Sequence, residues 1–277
     1  MRLCKMHGLG NDFLILEDLD GSLERHISGK EAARLCARRT GIGADGVILV
    51  QHSAVCDIRM IIFNSDGSAA QMCGNGIRCF AKYVYDSGII SHKRFSVETL
   101  AGAMHIALST KDGKADSVTV DMGEAHFERS DIPMIGSGDC LMQSMCVQDR
   151  EFTYSSVLLG VTHTVVLVGD VCSIDIEKYG PLIENLPIFP CRTNVNFTQV
   201  IDKNTLRVRT WERGCGATLA CGTGSSSAAV CCAAAGLTSR SVRVELELGT
   251  LDIVWAEDNR VSMTGPAEFV FMGELTI

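Results

Sequence analysis

One cysteine-centred segment occurs twice in this chain of 277 residues. Residues 73–76 read Cys-Gly-Asn-Gly, residues 221–224 read Cys-Gly-Thr-Gly, and a helix-like stretch follows each. A polar residue, Asn64 or Glu212, lies nine positions before each cysteine, and a glycine typical of a helix C-terminus lies fifteen positions after. This agreement predicts two copies of one supersecondary unit, each with a thiol at the N-terminus of a helix.

A thiol at a helix start is suited to acid–base chemistry. The first N–H groups of a helix have no intrahelical partner, and the helix dipole makes that end partly positive, so a thiolate is stabilised there. The glycines let a ligand approach the backbone, and the N–H groups suit a carboxylate. One thiolate and one thiol on opposite sides of a carbon atom form a proton acceptor and a proton donor, which can invert a stereocentre beside a carboxylate.

Charge and hydropathy exclude several classes of protein. The formal net charge is −8 and no long basic cluster occurs, so we expect no nucleic-acid partner. The first residues lack the apolar core of a signal peptide, and no apolar run is long enough for a transmembrane helix. We therefore expect a soluble cytoplasmic protein without a membrane partner.

The thirteen cysteines do not form a pattern typical of disulfides or metal ligands. Their number is odd, no secretory signal precedes them, and no Cys-x-x-Cys pair occurs. We expect most of them to be small core residues, including Cys36, Cys56, Cys172, Cys231 and Cys232. Only Cys73 and Cys221 stand out, because they correspond to each other and glycines follow them.

The chain alternates strand-like runs with a few helices, which predicts an α/β (α+β) fold with two similar halves. We expect strands at 12–17 and 47–51, and a helix over 29–39. The helices after the two repeated cysteines are expected to be central, each wrapped by a sheet, and the small residues of 225–235 predict a buried helix. The predicted domains are residues 1–117, to which a strand at 267–277 returns, and residues 118–266.

Five motifs, in order along the chain, resemble diaminopimelate epimerase. They are 6–13 (Met-His-Gly-Leu-Gly-Asn-Asp-Phe), 40–46 (Thr-Gly-Ile-Gly-Ala-Asp-Gly), 63–68 (Phe-Asn-Ser-Asp-Gly-Ser), 73–80 (Cys-Gly-Asn-Gly-Ile-Arg-Cys-Phe), and 211–214 (Trp-Glu-Arg-Gly) with 220–224 (Ala-Cys-Gly-Thr-Gly). The resemblance implies two pseudo-symmetric domains, each a β-sheet around a central helix. It implies a cofactor-independent isomerase that interconverts LL- and meso-2,6-diaminopimelate for lysine and peptidoglycan precursors. It also implies a cytoplasmic homodimer.

The resemblance assigns roles to residues at matching positions. Cys73 and Cys221 match the two acid/base thiols, and His163 and Glu212 match residues that tune the thiol pKa values. The remaining matches are substrate-binding residues: Asn11, Asn64, Gly74, Asn75, Asn194, Glu212, Arg213, Gly222 and Thr223. It implies no metal and no cofactor. Without the resemblance, His163 could equally be a hydrogen-bonded strand histidine, and the asparagines could be turn residues.

The chain departs from the family pattern beside the expected substrate. The usual Gly-Asn-Pro-His is Gly-Val-Thr-His at 160–163, so Val161 replaces an amide expected at the far end of diaminopimelate. Ala217 replaces the usual glutamate of Gly-Glu-Thr. These changes leave open a racemase of another amino acid with an altered distal pocket. A non-catalytic metal- or redox-binding protein is a further alternative. The sequence leaves open which cysteine is the thiolate at rest.

Overall fold

A computed structural model describes residues 2–24 and 26–275, which contain eighteen strands and four helices. The strands are β1 (Arg2–Gly8), β2 (Asn11–Glu17), β3 (Gly46–Gln51), β4 (Ile58–Asn64), β5 (Ala69–Ala70), β6 (Arg94–Thr99), β7 (Gly102–Lys111), β8 (Lys114–Glu124), β9 (Gln143–Val147), β10 (Arg150–Leu159), β11 (Val161–Leu167), β12 (Asn194–Asp202), β13 (Thr205–Glu212), β14 (Gly216–Thr218), β15 (Ser241–Leu246), β16 (Gly249–Trp255), β17 (Arg260–Gly265) and β18 (Glu268–Glu274). The helices are α1 (Gly29–Cys36), α2 (Gly74–Asp86), α3 (Ile176–Glu184) and α4 (Gly222–Ala234).

The described residues fall into two units. Those of Met1–Val120 and Thr264–Ile277 form the first unit, and Asp121–Met263 forms the second. The expected C-terminal strand extends to residue 277, and residues 276–277 lie outside the described residues. In the first unit β18 pairs antiparallel with β1 at one side of the sheet.

Strand pairing repeats from one unit to the other. In the first unit the pairs β1–β2, β3–β4, β4–β5 and β6–β7 are antiparallel, whereas β2–β3 and β4–β6 are parallel. In the second unit β10–β11, β12–β13, β13–β14 and β15–β16 are antiparallel, whereas β11–β12 and β13–β15 are parallel. A helix connects each parallel pair, because a parallel connection has to cross the sheet. The α+β class and the pseudo-symmetry of the halves are confirmed.

The second helix of each unit is its central helix. Ten of the thirteen residues of α2 are buried, and α2 packs against β1 to β4. In α4 the small side chains are buried over most of its length, as expected from the sequence. Its serine hydroxyls are satisfied inside the helix, since Ser225 and Ser226 donate to the carbonyl oxygens of Cys221 and Gly222. Small side chains thus let the surrounding strands approach this helix closely.

The structure differs from the sequence expectation in three local features. Helix α1 ends at Cys36 instead of residue 39, because residues 42–44 fold back and donate N–H groups to the carbonyl oxygens of Leu35 and Cys36 in its last turn. Helix α3 was not expected, since Pro181 lies inside it. Cys172 is exposed in a turn and Cys56 is half-buried, so neither is a core residue, whereas Cys36, Cys231 and Cys232 are buried.

All thirteen cysteines lie within the described residues, and none of them forms a disulfide. Among those residues, no helix combines the length and the apolar character needed to cross a bilayer.

Candidate active site

Cys73 is the N-cap residue of α2, as the repeat predicts. Its backbone is extended (φ −138°, ψ 120°), and the Gly76 N–H donates to its sulfur at 3.4 Å. A side-chain Cβ atom at position 76 would lie only 3.2 Å from Ile62 Cδ1 and 3.3 Å from Ile48 Cδ1. Glycine avoids these close contacts. The glycine therefore lets the helix start lie directly against the sheet, with the thiol at its end.

A chain of amide side chains extends from Cys73 to the sheet. The Cys73 thiol donates to Asn11 Oδ1 at 3.7 Å, and Asn75 Nδ2 donates to the same oxygen at 3.2 Å. Asn11 Nδ2 in turn donates to Asp45 Oδ2 at 2.7 Å. At the other end, Arg78 Nη2 donates to Asn75 Oδ1 at 2.9 Å. The structure thus joins three of the predicted residues, Cys73, Asn75 and Asn11, in one network.

Cys221 is the N-cap residue of α4 and repeats the geometry of Cys73. Its backbone is extended (φ −127°, ψ 113°), and the Gly224 N–H donates to its sulfur, again at 3.4 Å. Thr223 Oγ1 lies 3.4 Å from the same sulfur. A side chain at Gly224 would come within 2.2 Å of Asn196 Oδ1, so this helix start also requires glycine for a close approach.

His163 is fully buried on β11. Its hydrogen-bond partner determines which ring nitrogen carries the proton. Asn196 Nδ2 lies 3.1 Å from His163 Nδ1 and also donates to the Thr164 carbonyl oxygen, which can only accept. The amide nitrogen of Asn196 therefore faces the ring, so Nδ1 accepts and the proton of the neutral ring lies on Nε2. Burial, with a smaller effect of Arg213, lowers the pKa of His163 to about 3. His163 Nε2 has no hydrogen-bond partner within the described part of the chain.

The other predicted residues of the second unit surround the end of β13. Asn194 Nδ2 donates to the Thr162 carbonyl oxygen, and its Oδ1 accepts from the Arg213 N–H at 2.9 Å. The Arg213 guanidinium donates to the Cys191 carbonyl oxygen at 2.7 Å. Glu212 Oε1 accepts from the Thr218 hydroxyl at 2.6 Å.

Three further positions that the sequence singled out are exposed. Asn64 ends β4, and its Nδ2 donates to Ser68 Oγ at 2.9 Å. Val161 begins β11 with 39 % of its surface exposed, although it is apolar. Ala217 is an exposed residue of β14.

Sheet register shows how the two units differ chemically. Phe13 lies opposite Gly46 in the first unit, and His163 lies opposite Asn194 at the equivalent place in the second. By the same register Val161 corresponds to Asn11, since each lies two residues before the first of these partners and begins its strand. The two thiols therefore have equivalent backbones but different polar neighbours.

Sequence reasoning did not identify Asp45, Arg78 and Asn196, which hold predicted residues in place. Arg78 was detectable as a charged residue among the apolar positions of α2, where it is fully buried. Asn196 was detectable as a second polar residue inside the buried run of β12. The role of Asp45 could not be recognised from the sequence, because an aspartate beside a glycine is common in loops. Across residues 2–24 and 26–275, no three His, Cys, Asp or Glu side chains are grouped as metal ligands would be.

Comparison with known proteins identifies the family. The family model described as diaminopimelate epimerase matches residues 3–128 and 155–270. The diaminopimelate epimerase of Caldanaerobacter subterraneus subsp. tengcongensis is 45 % identical over 278 residues, covering 100 % of both chains. That of Moorella thermoacetica is 46 % identical over 279 residues with the same coverage, and that of Clostridium perfringens is 43 % identical over 277 residues, covering 99 % of this chain and 98 % of its own.

Solved structures show the same fold at low sequence identity. A hydroxyproline epimerase from Agrobacterium vitis superposes with a TM-score of 0.71 at 19 % identity, covering 99 % of this chain and 90 % of its own. A phenazine biosynthesis protein from Bacillus anthracis superposes with a TM-score of 0.72 at 18 % identity, covering 100 % of this chain and 99 % of its own. From the family model and the full-length relatives, this chain belongs to the diaminopimelate epimerase family.

Proposed function

We propose that this chain interconverts LL- and meso-2,6-diaminopimelate, with Cys73 and Cys221 as the acid/base pair, in lysine and peptidoglycan precursor synthesis. The observation that carries the proposal is the repeated thiol geometry: each sulfur caps a helix and accepts a glycine N–H at 3.4 Å. Full-length relatives at 42–46 % identity that are named diaminopimelate epimerase support the choice of substrate.

In the proposed reaction one thiolate removes the α-proton, and the other thiol donates a proton to the opposite face. The proton count of the pair is unchanged, because one sulfur gains a proton from the substrate while the other gives a proton to it. Negative charge develops on the α-carboxylate as the proton leaves. The N–H groups at the starts of α2 and α4, from Gly74, Asn75, Gly222 and Thr223, are suited to stabilise that charge.

The distal ammonium and carboxylate of the substrate would be held by Asn64, Asn194, Glu212 and Arg213. Burying these substrate charges without partners would be costly, so a set of polar groups is required. Arg213 can bind a carboxylate with two N–H groups, in place of its present bond to the Cys191 carbonyl oxygen.

His163 and Glu212 are proposed to tune the thiols, with Asn11 holding the substrate beside Cys73. As a neutral ring with its proton on Nε2, His163 can donate one hydrogen bond without adding charge. Glu212 would raise the pKa of a nearby thiol, since two anions repel.

We further propose a cytoplasmic enzyme that needs no cofactor and binds neither nucleic acid nor membrane. It would act as a homodimer. Four consecutive apolar residues of β18, Phe269 to Met272, are each at least 40 % exposed, which favours a protein contact there. In a two-fold dimer the same strand can meet its own copy.

The test is hydrogen exchange at the α-carbon of LL-diaminopimelate in D₂O. The wild-type protein should form meso-diaminopimelate with deuterium at the inverted centre. Cys73→Ala and Cys221→Ala should each abolish inversion, whereas Cys146→Ala, which removes an exposed thiol, should leave it unchanged. Near-normal inversion by either active-site variant would refute the two-thiol reaction.

The second candidate is a racemase of a less polar amino acid, which Val161 specifically favours. An exposed valine in place of an amide could pack against an apolar substrate side chain. Screening the same exchange reaction over ordinary amino acids separates the two candidates.

A further inference from the structure

The amide network beside Cys73 has a charged group at each end, and these groups fix the orientation of both amides. Asp45 carries only acceptors, so it must receive the Nδ2 group of Asn11, which is 2.7 Å away. Arg78 carries only donors, so it must face the Oδ1 atom of Asn75, at 2.9 Å. A flip of either side-chain amide would place two acceptors together at Asp45 or two donors together at Arg78.

These fixed orientations present an acceptor to the Cys73 sulfur. With its Nδ2 on Asp45, Asn11 directs Oδ1 towards the thiol, which donates to it at 3.7 Å. A protonated thiol can make this contact, whereas a thiolate would face a carbonyl dipole of the same sign. The arrangement stabilises the protonated form of Cys73.

The equivalent positions near Cys221 offer a different environment. Val161 replaces Asn11 there and has no acceptor, while Thr223 replaces Asn75 and puts a rotatable hydroxyl 3.4 Å from the sulfur. That hydroxyl and the Gly224 N–H can both donate to a thiolate. We propose that Asp45 is a positioning residue which, through Asn11, keeps Cys73 as the thiol of the resting pair and leaves Cys221 as the thiolate.

Asp45 is itself held in place from three sides. Its Oδ2 accepts the Asp12 N–H at 3.0 Å, its Oδ1 accepts from Arg38 at 2.8 Å, and its own N–H donates to the Asp12 carbonyl oxygen. Its carboxylate also adds negative charge near Asn11, which disfavours a second anion at Cys73. Orientation and charge therefore act in the same direction.

Other titratable groups also lie near this end of α2. They are Cys4, Lys5 and His7 on β1, Asp12 on β2, Arg38 in the following loop, and Arg78 and Cys79 on α2. Burial raises the pKa values of Cys4 and Cys79 to about 12, so both remain thiols. Lys5 and Arg38 form ion pairs with Asp12. The His7 ring accepts the Gly10 N–H. Two positive charges oppose the proposal: Arg38 also pairs with Asp45 and reduces the effect of its carboxylate, and Arg78 favours a thiolate at Cys73.

In the second unit, His163 is neutral. The negative charge of Glu212 disfavours a thiolate, whereas the positive charge of Arg213 favours one. Burial raises the pKa values of Cys231 and Cys232 on α4, so both remain thiols. The Thr223 hydroxyl and the Gly224 N–H favour a thiolate at Cys221.

The proposal rests on the two-thiol function and assigns the starting state of its reaction. At rest Cys221 takes the α-proton of the epimer whose α-proton faces it, and Cys73 gives its proton to the opposite face. After one turnover Cys73 is the thiolate and Cys221 the thiol. The reverse reaction or proton exchange with solvent restores the resting state.

The experiment is alkylation with iodoacetamide over a range of pH, with the Cys73 and Cys221 peptides quantified separately by mass spectrometry. The pH midpoint of each reaction is compared, not its rate, because Cys221 is the more buried thiol. In the wild-type protein the Cys73 midpoint should lie above that of Cys221. In Asp45→Asn the Cys73 midpoint should fall by about half a unit or more, because the negative charge and the fixed orientation are both lost.

Two further variants test the mechanism. Asp45→Glu keeps an acceptor-only carboxylate and should restore most of the difference, whereas Asp66→Asn, an exposed aspartate of the same unit bonded to Ser68, should change neither midpoint. A wild-type Cys221 midpoint at or above that of Cys73 overturns the proposal without any variant. An unchanged or raised Cys73 midpoint in folded Asp45→Asn also overturns it. Absent epimerase turnover with the expected midpoints would refute the proposed function instead.

Discussion

Buried polar residues beside the candidate thiols make their chemistry depend on single hydrogen bonds. Asn196 holds the His163 ring by Nδ1, and its own Oδ1 accepts from the Thr210 hydroxyl. Inside a protein such bonds are strong, and the penalty for leaving one unmade is large. Each residue of this network is therefore expected to influence stability as well as reactivity.

His163 should make the protein less stable in weak acid. Its pKa is about 3 in the folded chain and 6.5 in the unfolded chain, so below pH 6.5 only the unfolded chain binds the proton. The contribution of His163 to the free energy of unfolding is fully present above pH 6.5. It falls by about 1.4 kcal/mol per pH unit as the pH drops towards 3. Urea unfolding at pH 7.5 and 5.5 should show a smaller loss in His163→Gln than in the wild type. His105→Gln, at an exposed strand position, should match the wild type; equal pH dependence in all three proteins would contradict the assignment.

Val161 and Arg213 should report which substrate the chain binds. If diaminopimelate is the substrate, Arg213→Lys should raise KM about tenfold or more, because lysine cannot form the two-pronged bond to a carboxylate. Val161→Asn should keep or lower that KM. If a less polar amino acid is the substrate, Val161→Asn should reduce kcat/KM for it, and the wild type should turn over diaminopimelate poorly. Steady-state kinetics of both variants on both substrates checks this.

Among single residues, the sequence predicted the candidate acid/base and substrate-binding residues. It did not identify the residues that hold them in place. Cys73, Asn75 and Asn11 lie in recognisable motifs, and the structure joins them by hydrogen bonds. Asp45 and Arg78 also lie in these motifs, but they act through other side chains, and such contacts depend on how strands and helices pack. No local pattern encodes that packing, so the residues were not identified before the fold was known.

The two helix starts are the elements on which the candidate site depends. In each, the glycine three residues after the cysteine donates its N–H to sulfur and leaves space for a neighbour. The repeat was sufficient to predict both starts. It was not sufficient for α3, where Pro181 masked a helix that begins with an Asp175 cap.

The glycines of the two helix starts should tolerate substitution differently. An alanine Cβ at Gly224 would lie 2.2 Å from Asn196 Oδ1, which is buried and bonded. We expect Gly224→Ala to cost about 2–4 kcal/mol through displacement of that amide. At Gly76 the same atom would meet methyl groups at 3.2 and 3.3 Å, which can shift, so Gly76→Ala should cost about 1 kcal/mol. Urea unfolding of the two variants measures the difference, and equal costs would contradict the role of Asn196.

Across the whole chain the same order of paired strands occurs twice. In each unit one further strand pairs with the first strand of that order, and this further strand comes from a different part of the sequence in the two units. In the second unit β9 pairs with β10, which follows it directly in the sequence. In the first unit β18, near the end of the chain, pairs with β1 at its start. The β1–β18 pairing therefore joins segments that are far apart in the sequence, and a contact of such long sequence separation forms slowly. The sequence pattern indicated a late strand but not the exposure of its side chains.

The exposed side chains of β18 should control assembly. Met272 is 62 % and Val270 52 % exposed, and Phe269 and Phe271 lie beside them on the strand. Charges introduced there would have to be buried in any contact that covers this strand, at a cost that the apolar contact cannot offset. We expect the wild type to be a dimer by analytical ultracentrifugation, and Val270→Lys combined with Met272→Glu to be a monomer. Val55→Glu, at an apolar residue that is 78 % exposed outside β18, should remain a dimer. A dimeric double variant would show that β18 is not the contact, whereas a monomeric wild type would remove the homodimer itself.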